Sequence, residues 1–167
     1  MAEPLAISII DSLPAALRRL TADLVDEELR FRPAPGEWSI VEIVGHLIDK
    51  TEAWGGRFHR IATEDRPTLP AFDQDAYVRD RRYQDQHLDE LLTRLSALLT
   101  AVAGELRSLP ADAWERTGVH AERGVLTLGE AVRIYAVSLP EHVTQIVATR
   151  DAALSRTGVP PGAPTAR

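Results

Sequence analysis

Apolar side chains recur along this chain at spacings of three and four residues, which place them on one face of an α-helix. Four segments follow this pattern, and none keeps the alternation of polar and apolar residues that is typical of a half-buried β-strand. The most regular stripe contains Ile40, Val44, Leu47, Thr51, Trp54, Phe58 and Ile61. It predicts a long second helix with one face buried.

Three other segments carry stripes of the same kind. The first predicted helix spans about residues 5–22, the third starts at Leu88 and stops before Pro110, and the fourth starts at Thr127. The inward positions of the first helix are Leu5, Ile9, Leu13, Leu17 and Leu20. Those of the fourth helix are Leu128, Val132, Tyr135, Leu139, His142 and Ile146.

Two helix starts carry a capping box, in which Ser or Thr and a Glu three residues later satisfy backbone N–H groups that the helix end leaves without partners. Ser39 and Glu42 form this pattern before the second helix, and Thr127 and Glu130 form it before the fourth. We therefore predict that the second helix begins at Ser39 and the fourth at Thr127.

Two prolines fall inside predicted helices, where proline removes a backbone hydrogen bond. Pro14 either kinks the first helix or marks a restart that Ser12 caps. Pro140 either kinks the fourth helix or marks a restart at Ser138, which has Glu141 three residues later. A broken local rule of this kind often lies near a functional site.

The connections predict the topology. About 24 residues, 63–86, separate the second and third helices, whereas antiparallel neighbours need only two to eight. The sequence therefore predicts an all-α fold, a four-helix bundle with a long crossover between helices two and three. We expect one domain over residues 1–152 and a flexible tail over 153–167, where glycine and proline are frequent.

Composition and charge narrow the possible functions. The 167 residues are 44% hydrophobic and 26% charged, which is ordinary for a globular domain. The absence of cysteine excludes disulfides, thiolate nucleophiles and cysteine-built metal sites. A metal ion would have to be held by His, Asp or Glu.

The same features predict the partners and the location. The net charge of −6 opposes nucleic-acid binding, and Asp80 interrupts the basic run of Arg79, Arg81 and Arg82. No apolar run is long enough to span a membrane, and the first residues lack the pattern of a signal peptide. We expect a cytoplasmic protein with no nucleic-acid or membrane partner.

Two histidines are the first candidates for chemistry, because the common catalytic motifs are absent. His142 lies on the apolar stripe of the fourth helix, which suits either a hydrogen-bonded core histidine or a metal ligand. His46 lies on the flank of the second helix, with Asp49 one turn later on the same side. The remaining histidines, His59, His87 and His120, fall near helix ends or in loops.

Several short segments resemble the DinB-like superfamily of bacterial four-helix-bundle proteins. They are RPAPGEWS at 32–39, GHL at 45–47, RPTLP at 66–70, FDQD at 72–75, WERTGVH at 114–120, GVLTL at 124–128 and EHVTQI at 141–146. Their order and spacing carry the resemblance, which covers about residues 30–150.

The resemblance implies a bundle with a long crossover that is often a homodimer. It also implies a divalent metal, zinc or nickel, held by one histidine on the second helix and two on the fourth. His46 and His142 match two of these positions, but Ser138 stands where the other histidine is expected. A neutral hydroxyl is a poor ligand for zinc or nickel beside imidazole.

Three outcomes remain open for the metal site. Asp49 or another carboxylate completes it with His46 and His142, a water fills the gap, or the site is degenerate and empty. If metal binds, Tyr135 and Ser138 are candidates for contacting the substrate, although core packing is the simpler role for Tyr135.

The resemblance implies two classes of function. In the first, the chain is a thiol-dependent transferase or a metal-dependent hydrolase, which acts on a small-molecule substrate. Because the chain has no cysteine, a low-molecular-weight thiol would have to arrive as a cosubstrate. In the second, the chain is a metal-free, non-catalytic bundle with a binding or stress-response role.

Overall fold

The structure of the chain, a computed structural model, describes residues 3–71 and 74–157. Within these residues it has six α-helices and three short strands. The helices are α1 (Glu3–Thr21), α2 (Asp26–Leu29), α3 (Ile40–Thr63), α4 (Gln74–Asp80), α5 (Leu88–Ser108) and α6 (Leu128–Thr157). The strands are β1 (Thr68–Leu69), β2 (Thr117–His120) and β3 (Gly124–Thr127).

The four long helices form the bundle. α1 and α3 each pack against both α5 and α6, so every long helix has two neighbours. The connection from α3 to α5 contains β1 and α4, and α4 packs on α3. The predicted four-helix bundle with a long crossover between the second and third long helices is confirmed.

Both predicted capping boxes are present. Ser39 precedes α3, where its Oγ accepts a hydrogen bond from the backbone N–H of Glu42 at 3.3 Å. The carboxylate of Glu42 accepts one in return from the N–H of Ser39 at 2.9 Å. Thr127 and Glu130 make the same exchange before α6, at 3.1 and 2.9 Å. These caps fix the starts of the two helices that carry the candidate histidines.

The buried stripe of α1 differs from the predicted one. Leu5 is 68% exposed, and the buried positions are instead Ala6, Ile10, Leu13 and Leu17. Because Ile9 and Ile10 are both apolar, the sequence allows a buried stripe through either residue. Packing against α5 and α6 selects the stripe that contains Ile10.

The three-stranded sheet was not predicted. β1 pairs with β2 in parallel, and β2 pairs with β3 in an antiparallel hairpin. Strands of two to four residues are too short to show a sustained alternation of polar and apolar positions. β2 ends at His120, just before the turn of the hairpin, and this residue is 6% exposed.

Both prolines lie inside continuous helices, Pro14 in α1 and Pro140 in α6. The hydroxyl of Ser138 donates to the backbone carbonyl of Tyr135 at 2.6 Å and therefore does not cap a new helix. The structure thus confirms that α6 continues through Pro140.

The predicted boundary of the tail is wrong for residues 153–157. α6 continues to Thr157, and Ala153 and Leu154 are 0% and 3% exposed, so packing extends the helix beyond the predicted end. The rest of the tail, 158–167, lies outside the described residues, as do positions 72 and 73 of the FDQD segment. Over residues 3–71 and 74–157, no helix combines the length and apolar character needed to cross a membrane.

Candidate functional site

The structure brings His46 and His142 together where α3 packs against α6. The centroids of the two rings lie 4.8 Å apart, with an interplanar angle of 64°. His46 also contacts Trp38, whose ring centroid lies 4.9 Å away. Two imidazoles from different helices therefore share one site, although their role as metal ligands stays a prediction.

Burial keeps the imidazole of His46 neutral. Its residue is 1% exposed, and desolvation, with smaller contributions from His142 and Lys50, lowers the pKa of His46 to about 3. A neutral imidazole can bind a metal ion, but it can also serve as an uncharged wall of a binding site.

Lys50 is the immediate partner of His142. The Nζ atom of Lys50 lies 2.9 Å from the Nε2 atom of His142. An ammonium group has only N–H donors, so Nε2 accepts this bond, and the proton on the other ring nitrogen, Nδ1, faces the Oε1 atom of Gln145 at 3.3 Å. The Nε2 lone pair that could bind a metal is thus directed at an ammonium group.

Burial lowers the pKa of both groups in this pair, and nearby charges act differently on the two. Burial lowers the pKa of Lys50, while the nearby carboxylate of Glu141 acts in the opposite direction. Burial also lowers the pKa of His142, and the ammonium of Lys50 lowers it further. His142 is therefore neutral when Lys50 is charged.

Asp49 lies on a different side of α3 from the histidine pair. Its Oδ1 atom accepts a hydrogen bond from the hydroxyl of Tyr83 at 2.7 Å and lies 3.5 Å from the Nε atom of Arg81. Burial raises the pKa of Asp49, against the opposing effects of Tyr83 and Arg81. At 100° per residue, a side chain three positions after His46 turns about 60° one way, and one four positions after it turns about 40° the other way. The two residues thus lie on opposite flanks of His46, and it is Lys50 that contacts His142 and lines the cavity.

The two residues predicted to contact substrate lie in different surroundings. Ser138 is half-buried and lines the cavity described below. Tyr135 is fully buried, and its hydroxyl lies 2.8 Å from the Oγ1 atom of Thr51 in the core. The structure does not place Tyr135 on the cavity wall, so it does not support the substrate role.

These residues do not fit a divalent metal. Within residues 3–71 and 74–157, no three His, Asp or Glu side chains form a group that could hold one. The Nε2 atom of His142 faces Lys50, and the hydroxyl of Ser138 bonds to the backbone of its own helix. A positive charge also stands where a cation would have to bind, and it would repel that cation.

A cavity of about 240 Å³ opens beside the histidine pair. Its lining comes from α3, α6, the β2–β3 turn and the segment after β1. The lining residues are His46, Lys50, Trp54, Arg57, Ala71, His120, Ala121, Glu122, Arg123, Ile134 and Ser138. The cavity therefore combines cationic, aromatic and aliphatic walls.

Arg57 is the most deeply buried cation of this cavity, with 3% exposure. Its Nη2 atom donates to the carbonyl of Pro70 at 2.6 Å, and its guanidinium carbon lies 4.7 Å from the ring centroid of Trp54. Its Nε atom has no hydrogen-bond partner in the part of the chain that the structure describes. Burial lowers the pKa of Arg57, and Glu122 opposes this effect.

His120 completes the aromatic side of the cavity. Its ring stacks on Trp54 with centroids 5.9 Å apart, and its Nδ1 atom accepts a hydrogen bond from the N–H of Glu122 at 3.2 Å. Burial, with a smaller contribution from Arg57, lowers the pKa of His120. The stack keeps the imidazole and the indole on one wall.

Sequence reasoning missed most of these residues. Lys50 is the single lysine of the chain and follows His46 by four positions, a spacing that puts both on one helix face. That spacing was the available signal. Arg57 continues the same face two turns later, but its neighbours Pro70 and Glu122 come from distant parts of the chain.

Comparison with known sequences identifies the family. The model of the DinB superfamily matches residues 9–146. A protein of Oceanobacillus iheyensis named "putative metal-dependent hydrolase" is 27% identical over 140 residues, which are 84% of this chain and 81% of that protein. One of Bacillus mycoides with the same name is 30% identical over 148 residues, 87% of this chain and 83% of its own length.

Solved structures show the same fold. YfiT from Bacillus subtilis, described as "a probable metal-dependent hydrolase with an unusual four-helix bundle topology", matches with a TM-score of 0.81 and 22% identity over 94% of this chain and 88% of its own. The mycothiol-dependent maleylpyruvate isomerase matches with a TM-score of 0.70 and 12% identity, over 87% of this chain and 61% of its own. The family match and the shared fold agree with the segments that first suggested the resemblance, and the chain belongs to the DinB superfamily.

Proposed function

We propose that this chain is a metal-free member of the DinB superfamily that binds a small molecule in the cavity between α3 and α6. One observation carries the proposal: the Nζ atom of Lys50 lies 2.9 Å from the Nε2 atom of His142. The lysine takes the position from which a metal would bind that imidazole. This choice corresponds to the second of the two classes that the sequence left open.

Electrostatics argues for the same choice. A divalent ion 4 Å from a charged lysine is repelled by about 8 kcal/mol at an effective dielectric constant of 20. This repulsion is an upper limit on the cost, because Lys50, whose pKa burial lowers, can instead lose its proton when a cation binds. Two imidazoles and the hydroxyl of Ser138 do not supply a negative charge to offset it.

The metal content of the purified protein tests the proposal. The protein should be prepared without a polyhistidine tag or a nickel column, dialysed, and measured by inductively coupled plasma mass spectrometry. We expect less than about a tenth of an equivalent of zinc or nickel, and no rise in melting temperature when either is added. About one equivalent retained after dialysis would overturn the proposal.

The second candidate is the metal-dependent hydrolase or thiol-dependent transferase. The approach of the two imidazole rings to 4.8 Å favours it, as do the names of the relatives. It requires Lys50 to leave His142 before a metal could bind. Metal retained at one equivalent in the wild-type protein would select this candidate.

A further inference from the structure

The charge of the side chains that line the cavity indicates what kind of ligand it binds. Three cationic side chains line it, Lys50, Arg57 and Arg123, against one carboxylate, that of Glu122. Glu141 also lies near Lys50 but does not line the cavity. The lining residues that the structure describes thus carry a formal excess of positive charge, which favours an anion.

Arg57 indicates where that anion would bind. Its side chain is 3% exposed and held in place by the carbonyl of Pro70 and the ring of Trp54. Its Nε–H has no acceptor among the described residues, and such a buried donor costs about 1–3 kcal/mol. Because Nε itself is out of contact with solvent, the rest of the guanidinium group, which lines the cavity, is the part that a ligand would meet.

Lys50 offers further donors on the α6 side of the cavity. One N–H of its ammonium group points at Nε2 of His142, and the structure shows no second hydrogen bond from it to a described residue. Since an ammonium group has three N–H donors, two remain for a ligand. Hydrogen bonds from charged donors to a carboxylate are about twice as strong as neutral ones.

The rest of the lining indicates an organic ligand. Trp54, Ile134, Ala71 and Ala121 supply apolar walls, which an inorganic anion could not use. The cavity of about 240 Å³ lies below the roughly 300–1,000 Å³ typical of pockets for drug-sized ligands. The ligand is therefore small.

We propose that the cavity binds a small organic acid, with its carboxylate between Lys50 and Arg57 and its apolar part against Trp54 and Ile134. Arg123, which is exposed on the β2–β3 turn, lies at the edge of the cavity and attracts the anion. This inference rests on the proposed metal-free function, because the ammonium of Lys50 takes the place of a cation.

Calorimetric titration with matched acids and amides tests the inference. Acetate and benzoate are compared with acetamide and benzamide, which have nearly the same shape but no charge, in buffer that contains EDTA. We expect at least one acid to bind with a dissociation constant below about 10 mM, and its amide to bind at least tenfold more weakly. Equal binding of acid and amide, or binding of neither acid, would overturn the inference.

Variants locate the binding site. Lys50→Met and Arg57→Gln should each weaken binding of the acid about tenfold or more, and Arg123→Gln about threefold. Arg133→Gln removes an exposed arginine of α6 that does not line the cavity and should leave binding unchanged. If Arg57→Gln does not fold, as judged by circular dichroism, Lys50→Met decides. Unchanged affinity in Lys50→Met would overturn the inference.

Two further outcomes separate the inference from the function on which it rests. If inorganic phosphate binds as tightly as benzoate, the inference that the ligand is an organic acid is wrong, but the proposed metal-free function is not affected. Acid binding that appears only without EDTA, in a protein that retains metal, would overturn the metal-free function itself. A metal-free protein that binds neither acid would overturn the inference alone.

Discussion

The ammonium group of Lys50 on α3 and the Nε2 atom of His142 on α6 lie 2.9 Å apart. This contact joins the two helices at the position where the resemblance predicts a metal ion. Removing the lysine and restoring a histidine on α6 should therefore create a site that the wild-type chain lacks.

The double variant Lys50→Ala with Ser138→His should bind zinc. A histidine at 138 lies one turn before His142 on α6, near His46, and the repelling charge is gone. We expect about one equivalent of zinc after dialysis and a rise of several degrees in melting temperature. The matched control is Lys50→Ala with Val137→His, because Val137 is 60% exposed. Equal zinc content in the two double variants would contradict the prediction.

Acid should destabilise the protein through the buried histidines. The pKa of His46 is about 3 in the folded state and about 6.5 when exposed, so the unfolded chain binds more protons below pH 6.5. The neutral imidazole therefore makes its full contribution to stability above pH 6.5. Below that pH the free energy of unfolding falls by about 1.4 kcal/mol per pH unit. From pH 7.5 to 5, His46 alone should cost about 2 kcal/mol, and the lowered pKa of His142 acts in the same direction.

Urea unfolding at pH 7.5, 6 and 5 measures this effect. His46→Phe keeps a planar ring against Trp38 and His142 but cannot be protonated, so it should lose less stability on acidification than the wild type. His59→Gln is the control, since His59 is exposed and pairs with Glu105 at 2.7 Å. The same acid dependence in wild type and His46→Phe would show that His46 does not carry it.

Gly45 should tolerate no side chain, although it lies in the middle of a helix. A Cβ atom at this position would overlap the ring of Tyr83, which is fully buried and hydrogen-bonded to Asp49. We expect Gly45→Ala to reduce the free energy of unfolding by about 1–3 kcal/mol. Gly56→Ala on the same helix meets no atom within 4 Å and should raise it by about 0.5–1 kcal/mol. Urea unfolding of both variants measures the difference, and equal stabilities would refute it.

The periodicity of the sequence was sufficient to predict the bundle, whereas the meeting of His46 and His142 was expected only from the family resemblance. The stripes of α3 and α6, with capping boxes at Ser39 and Thr127, fix how each helix is rotated and where it starts. His142 lies on the stripe of α6, so packing that stripe against α3 brings the imidazole to its partner on α3.

The remaining parts of the site depend on contacts that local patterns do not contain. Asp49 and Lys50 lie on the two flanks of His46, and the helix pattern does not decide which of them contacts His142. In the structure Asp49 bonds to Tyr83 on the crossover, and Lys50 contacts His142. Arg57 belongs to the site because the carbonyl of Pro70 holds it there. Both contacts join segments of the chain whose relative placement the helix pattern does not specify.

The hydroxyls of Tyr135 and Thr51 form a hydrogen-bonded pair, and removing one of them should cost more stability than removing the other. Thr51 donates its proton to the carbonyl of Leu47 at 2.6 Å, so Tyr135 donates to Thr51 at 2.8 Å. Tyr135→Phe leaves the Thr51 bond to Leu47 intact and should cost about 1 kcal/mol. Thr51→Val leaves a buried phenol without its acceptor and should cost more, about 1–3 kcal/mol.

The double variant distinguishes this structural role from a substrate role for Tyr135. Because the second substitution removes the group that the first leaves without a partner, the combined loss in urea unfolding should be smaller than the sum of the two single losses. Binding of the acid probes should be the same in Tyr135→Phe and the wild type, since the ring does not line the cavity. A Tyr135→Phe protein of unchanged stability with weakened acid binding would reverse the assignment and return Tyr135 to the binding site.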